Sequence, residues 1–295
     1  MRVLVTGVTG QLGQALLASK PEGVQLIGCS RSELDLADAQ ACREMVLHTK
    51  PDWLLNAAAY TAVDRAESEP ERAQAVNAGA PAAFAEALAQ TGGRMLQVST
   101  DFVFDGCQGR PYGPDQPPSP LGVYGTTKAA GEHAVLQALP AGLSTVLRTG
   151  WVYGPVGQNF LLTMLRLHRS RAASGEPLRV VADQVGCPTS TLGLSQVCWR
   201  LLEQQALPPV LHWSDAGAAS WYDFAVAIGE LAVAAGLLER AARVLPIPTA
   251  DYPTPAQRPS YSLLDCAATR AALGLEPLHW RQALEQVLAL LSQQA

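Results

Sequence analysis

The chain has no apolar run approaching the roughly 18 residues needed to span a bilayer. Its first apolar stretch, Val3–Val5, ends at Thr6-Gly7, too short for the core of a secretory signal, so it reads as a first strand. It also has no CxxC pair and no histidine spacing of the zinc type. The 6 cysteines, Cys29, Cys42, Cys107, Cys187, Cys198 and Cys266, are widely scattered, which argues against a disulfide framework and a metal site and for reduced thiols. Charge is sparse: 16% of residues carry it, the net charge is -5, and like charges form no long block. Neither a disordered chain nor a nucleic-acid surface fits that balance. The expectation is a cytoplasmic protein, without membrane or nucleic-acid partners, whose ligand is a small molecule.

With 295 residues, 48% of them hydrophobic, the chain can bury a large core, as one domain or as one domain with a smaller lobe. The first half alternates short apolar runs with longer amphipathic ones, the pattern of a parallel sheet covered on both faces. Strands are expected at Val3–Thr6, Gln25–Cys29, Trp53–Asn56, Met95–Ser99 and Thr145–Arg148. Helices are expected from Gln11, over Ala37–Lys50, Glu71–Gln90 and Tyr124–Leu139. After Trp151 the alternation fades into helices near Phe160–Ala173, Leu192–Gln205, Tyr222–Ala235 and Trp280–Leu291, with apolar runs at Leu178–Val181 and Val210–Trp213. Two proline-rich segments, Pro111–Pro120 and Pro246–Pro259, read as ordered loops. The fold class is α/β: a doubly wound parallel sheet of Rossmann type over about residues 1–150, then a smaller α/β substrate lobe over about 151–295, part of which returns to the first domain.

Directly after the first strand comes Thr6-Gly7-Val8-Thr9-Gly10-Gln11-Leu12-Gly13. Glycines at Gly7, Gly10 and Gly13 allow a tight turn, close approach of backbone to a pyrophosphate, and close helix–strand packing, while Gln11 and Leu12 open the helix whose N-terminus faces the phosphates. The second strand ends Cys29-Ser30-Arg31, with no acid to bind a ribose diol. Ser30 and Arg31 therefore favour NADPH over NADH, although Arg31 as a plain surface charge stays open. Asp35 and Leu36 border the adenine in this reading. Ala57, Ala58, Ala59 and Tyr60, after the third strand, leave room for the cofactor to cross the sheet edge.

Tyr124-Gly125-Thr126-Thr127-Lys128 is a YxxxK unit, whose i, i+4 spacing puts phenol and ammonium on one helix face. The ammonium is expected to lower the phenol's pKa, and the tyrosine to give its proton to a carbonyl as hydride arrives. Thr100, with Asp101, stands at the end of the fourth strand, at the carboxyl edge where open α/β sheets bind ligands. The candidate catalytic set is Thr100, Tyr124 and Lys128, which also touch substrate and cofactor.

Together with Asn56-Ala57-Ala58-Ala59-Tyr60-Thr61-Ala62-Val63-Asp64, Ser99-Thr100-Asp101-Phe102-Val103-Phe104-Asp105-Gly106, Arg148-Thr149-Gly150-Trp151-Val152-Tyr153-Gly154, Asp183-Gln184-Val185-Gly186-Cys187-Pro188-Thr189 and Tyr252-Pro253-Thr254-Pro255-Ala256-Gln257-Arg258-Pro259, these motifs resemble the dTDP-4-dehydrorhamnose reductases, extended short-chain dehydrogenases. The resemblance covers nearly the whole chain. It implies reduction of the 4-keto group of dTDP-4-dehydro-6-deoxy-L-mannose to dTDP-L-rhamnose, a precursor of cell-surface polysaccharide, by NADPH or NADH. It also implies that Thr100 and Tyr124 hold the keto oxygen, that Lys128 orients cofactor and tyrosine, and that Trp151 lies against the sugar. Asp101 falls on the substrate side, and Arg258 either meets a nucleotide phosphate or serves as a structural cation. Phe102 departs from the family's usual tyrosine. A homodimer is compatible with this reading. Other nucleotide-sugar ketoreductases, an epimerase, or a non-catalytic subunit of the same fold remain alternatives, while Phe102 after Asp101 disfavours a dehydratase.

Overall fold

A parallel strand buried on both faces must be apolar at every position, and the first strand shows this: Val3, Leu4 and Val5 are fully buried. The computed structural model describes residues 1–276 and 278–294. Strands β1 (Arg2–Thr6), β2 (Gln25–Cys29), β3 (Trp53–Asn56), β4 (Arg94–Thr100) and β5 (Ser144–Thr149) alternate with α1 (Gln11–Ala18), α2 (Ala39–Thr49), α3 (Val63–Ala66), α4 (Pro70–Gln74), α5 (Ala80–Thr91) and α6 (Val123–Ala138). All five expected strands form, each within a residue of its expected ends. The chain continues through β6 (Val152–Tyr153), α7 (Phe160–Ser174), β7 (Leu178–Val181), β8 (Val185–Gly186), β9 (Thr189–Ser190) and α8 (Thr191–Leu202). It closes with β10 (Val210–His212), β11 (Ala219–Ser220), α9 (Trp221–Ala234), β12 (Val244–Ile247), α10 (Ala267–Leu273) and α11 (Trp280–Gln294).

The main sheet has the order β10-β5-β4-β3-β1-β2 and every pairing in it is parallel. Strand order reverses on either side of β1, which opens a crevice at the carboxyl ends of the strands. Alternate residues feed two cores. Val3 and Val5 pack with Leu12 and Leu16 of α1 and with Leu194, Val197 and Trp199 of α8. Leu4 faces the other way, toward Val46 of α2, Phe84 and Leu88 of α5, and Val135 of α6. This is the doubly wound α/β sheet. A further core joins Tyr153, Leu161 and Met164 to Phe224, Ile228, Leu284 and Val287, gathering α7, α9 and α11. Among the described residues no helix is long and apolar enough to cross a membrane.

Two features differ from the sequence expectation, and the later part of the chain meets the main sheet at one edge. The run at Val210–Trp213 is the edge strand β10 on β5, and α8 lies beside α1, so the chain after Trp151 comes back to the main sheet. Pro246 belongs to β12, paired with β7 opposite Val180. In a two-stranded ribbon every strand is an edge, where proline's missing N–H is tolerated. The single helix expected over Glu71–Gln90 is interrupted by a π-helical turn at Ala75–Gly79, a distortion that commonly marks functional sites.

Candidate active site

A cleft of about 680 Å³ opens at the carboxyl ends of the main-sheet strands. At its floor Gly7 has φ +69, and a Cβ there would lie 2.9 Å from that of Ala58. A Cβ on Gly13 would fall 2.1 Å from the Gly7 carbonyl oxygen, so the first turn of α1 rests directly on the loop. The amide of Gly10 donates to the Gly7 carbonyl at 2.9 Å. The glycines thus serve the tight turn and close packing that their spacing implied. Gly7, Gly10, Gln11 and Leu12 line the cleft, while Gly13 sits behind it. Gln11 also accepts from Asn159 Nδ2 at 2.8 Å, tying the helix start to the loop that precedes α7.

At the far end, Ser30, Arg31, Asp35 and Leu36 all line the cleft. Arg31 is exposed and makes no ion pair among the described residues. Glu33 Oε2 accepts from the Ser30 amide at 2.8 Å and the Ser30 hydroxyl at 2.7 Å, and these bonds hold its carboxyl below the usual range. Glu33 does not line the cleft. Asp35 accepts from the Ala37 amide at 3.0 Å, a local turn that fixes the loop. Arg72, on α4, reaches the same cleft; its distance from the other motifs in sequence gave no signal of this.

Ala57, Ala58, Ala59 and Tyr60 form the wall after β3. The π turn explains how Tyr60 is held: Asn77 Oδ1 accepts from the Tyr60 amide at 2.8 Å, and Asn77 Nδ2 donates to the Tyr60 carbonyl at 3.2 Å and to Thr127 Oγ1 at 3.1 Å. One buried asparagine therefore joins this wall to α6.

Thr100 ends β4, and Tyr124 and Lys128 project from the first turns of α6; all three line the cleft. Lys128 is buried and its Nζ donates to the Val98 carbonyl at 2.7 Å, which leaves two ammonium N–H groups for a ligand. The expected lowering of the phenol pKa does not occur within the chain. Burial dominates and pushes Tyr124 up to about 12, against the pull of the Thr100 hydroxyl. Burial also brings Lys128 down to about 8, Glu132 working against it. Phe102 packs edge-on against Tyr124, ring centroids 5.6 Å apart, and so narrows its freedom.

Asp101 is buried, and burial raises its carboxyl to about 6. Its Oδ1 accepts from Thr100 Oγ1 at 3.3 Å. Its Oδ2 has no partner, nor do the buried Ser99 Oγ and Thr149 Oγ1, which belong to the ends of β4 and β5 at the same cleft. Buried polar atoms are normally satisfied; three orphans at one edge mark where a polar ligand belongs. Ser99 and Thr149 belong to motifs quoted from the sequence, but neither was assigned a role there. Trp151 lines the cleft with φ +52, in the left-handed region that bulky residues rarely adopt. Arg258 does not line it. Its guanidinium donates to Asp64 Oδ2 at 2.9 Å and the Ala256 carbonyl at 3.1 Å, fastening the RP segment to α3.

The comparisons with known proteins agree in kind. The family model described as the RmlD substrate binding domain matches residues 1–293. The dTDP-4-dehydrorhamnose reductase of Aggregatibacter actinomycetemcomitans is 39% identical over 295 residues, covering 98% of each chain. A dTDP-4-dehydrorhamnose reductase from Clostridium acetobutylicum superposes with a TM-score of 0.90 at 34% identity over 99% of both chains. That from Bacillus anthracis, solved in complex with NADP, gives 0.89 at 33% identity over 97% of this chain and 98% of its own. The likeness runs from the glycine turn through the segments that carry Trp151 and Arg258, and the chain belongs to the dTDP-4-dehydrorhamnose reductase family.

Proposed function

We propose that this chain reduces the 4-keto group of dTDP-4-dehydro-6-deoxy-L-mannose to dTDP-L-rhamnose with NADPH in preference to NADH. The observation that carries the reading is the convergence of Thr100, Tyr124 and Lys128 on one edge of a cleft whose other half is the glycine turn and the Ser30–Arg31 strand end. The residues present fit a dinucleotide: a glycine floor that a single Cβ would obstruct, a helix N-terminus, and a cation unpaired among the described residues where a 2′-phosphate would lie. Gly7, Gly10, Gln11, Leu12 and Gly13 shape the pyrophosphate site, Ser30 and Arg31 the adenosine ribose site, Asp35 and Leu36 the adenine site, and Ala57–Tyr60 the crossing. When bound, the reduced nicotinamide supplies the hydride.

Tyr124 holds the proton that the reduction consumes. A phenol pushed up to about 12 is fully protonated at neutral pH and gives its Oη proton to the sugar's O4 as negative charge develops there. Thr100 donates to the same oxygen and fixes the sugar's position. The Lys128 ammonium, held by the Val98 carbonyl, stabilises the phenolate left behind. Asp101 and Trp151 contact the sugar, the indole covering its apolar methyl face. Residues 1–150 form the dinucleotide unit, and 151–295 supply mainly the substrate lobe while returning β10 and α8 to the first unit. Arg258 serves as the cation that holds the Pro-rich loop against Asp64, at the border of the substrate side. The protein acts in the cytoplasm, toward cell-surface polysaccharide, and a homodimer is compatible with it.

The test generates the dehydro sugar in situ, adds the protein, and follows the reduced-nicotinamide absorbance with NADPH and NADH in parallel. Oxidation that depends on the sugar, faster with NADPH at low concentration, is the expected result. Cofactor binding without sugar-dependent oxidation would point to a different nucleotide sugar or to a non-catalytic subunit.

A further inference from the structure

The segment Asp183–Thr189 stood out in the sequence, yet it does not line the cleft. Its contacts converge on one residue that does. The Thr189 amide donates to the Trp151 carbonyl at 3.1 Å, next to the pairing of β6 with β9. A Cβ on Gly186 would lie 2.4 Å from Trp151 Nε1 and Cε2, so the indole fills space that any side chain at 186 would claim. Gln184 Oε1 accepts from Trp221 Nε1 at 3.1 Å, and its Nε2 donates to Thr249 Oγ1 at 3.1 Å. Thr249 in turn donates its amide to Asp183 at 2.9 Å.

Trp221 is the first residue of α9, and its ring lies flat on that of Trp151, centroids 3.5 Å apart and planes within 1°. Free aromatic pairs prefer offset or edge-on arrangements, so a full overlap reflects restraint from outside the pair. Three contacts supply the restraint: the Gln184 bond sets the plane of Trp221, Phe160 packs against it at 4.7 Å, and β8 pairs with β11 immediately before α9. Trp151 itself has φ +52, a conformation that persists only where the surroundings over-determine it.

We propose that Trp221, held by Gln184, is a positioning residue for the nucleotide sugar: it backs Trp151 and makes that indole a rigid wall of the sugar subsite, with Asp183–Thr189 as the frame that sets both rings. Trp221 does not itself line the cleft and acts only through Trp151. The proposal rests on the reading above, in which Trp151 faces the sugar. A wall fixed in advance spends no binding free energy on ordering the ring, and a small misplacement of a positioning group lowers catalysis steeply.

The test uses the full chain with Trp221→Leu, Trp221→Phe and Gln184→Leu. Near-ultraviolet circular dichroism, read without substrate, reports the stacked indole pair, and Trp221→Leu is expected to abolish the coupled tryptophan signal. In the reductase assay the same variant raises KM for the nucleotide sugar roughly tenfold or more, with the dissociation constant for NADPH unchanged. Trp221→Phe, which keeps a stacked ring, recovers most of the loss. Gln184→Leu removes the bonds to Trp221 Nε1 and Thr249 Oγ1 while keeping the indole, and shifts KM in the same direction by less, and this holds as a test even if Trp221→Leu does not fold. Wild-type protein that leaves the sugar unreduced would overturn the functional reading, and this is seen before any variant is compared. Active wild type with an unchanged KM in folded Trp221→Leu and in Gln184→Leu overturns the wall alone, as does a parallel weakening of NADPH binding.

Discussion

At Tyr124 two effects compete: the Thr100 hydroxyl favours the phenolate, and burial opposes it. Burial wins there and at Lys128, raising the phenol to about 12 and lowering the ammonium to about 8. The consequence for pH follows from which forms are needed. Reduction needs a protonated phenol and a charged lysine, so activity holds at neutral pH and falls as pH rises through about 8, where Lys128 loses its proton while Tyr124 keeps its own. A pH–rate profile of kcat/KM with a basic limb near 8 is the expected outcome; a flat profile to pH 10 would remove Lys128's charge from the mechanism. Tyr124→Phe is expected to lower turnover by about 10²-fold or more with little change in NADPH affinity by titration calorimetry. The motif residues were legible in the sequence because their spacing is set by a helix. The direction of the phenol's shift was not, since burial comes from strands and loops far away in the chain. The orphaned oxygens of Ser99, Asp101 and Thr149 were equally invisible, because their lack of partners is a property of the assembled edge.

The elements show why some boundaries could be read and others not. Strands β1 to β5 are apolar runs ended by turn residues, and their ends followed from composition alone. Two-residue strands such as β6, β8, β9 and β11 have no periodicity to detect. The π turn at Ala75–Gly79 has a tertiary cause: Asn77 must meet both the Tyr60 backbone and Thr127, and α6 crosses so closely that a Cβ on Gly131 would lie 2.0 Å from the Asn77 carbonyl oxygen. Asn77→Ala removes these bonds and leaves the half-buried Tyr60 amide and carbonyl unpaired. It is expected to cost about 1–3 kcal/mol of stability and to weaken NADPH binding through the freed Tyr60 loop, measured by denaturant unfolding and by calorimetry. Normal cofactor affinity in a destabilised variant would mean that the π turn serves the fold only. Next to it, Glu132 and Arg148 form a buried pair at 2.7 Å that couples α6 to β5.

For the whole molecule, a sheet wound on both faces presents its crevice at one edge, and the later part of the chain supplies Trp151 from just beyond β5. The change in pattern after residue 150 and the return of part of that segment were read from the sequence; which run returns was not, since a short apolar run does not announce which sheet it joins. Cofactor choice also belongs to this scale, because Arg31 and Arg72 come from separate elements onto one cleft. Arg31→Asp is expected to raise KM for NADPH at least about tenfold and leave NADH use intact or improved, read from parallel steady-state assays; no change in the ratio would mean that Arg31 never meets the 2′-phosphate. Hydride from the nicotinamide is expected to reach C4 of a deoxysugar nucleotide in this cleft. The most direct measurement supplies NADPH deuterated at the transferring position, with the dehydro sugar, and examines the product by NMR. The expected product is dTDP-L-rhamnose carrying deuterium at C4; deuterium elsewhere, or sugar returned unlabelled while cofactor is consumed, would exclude hydride transfer to C4.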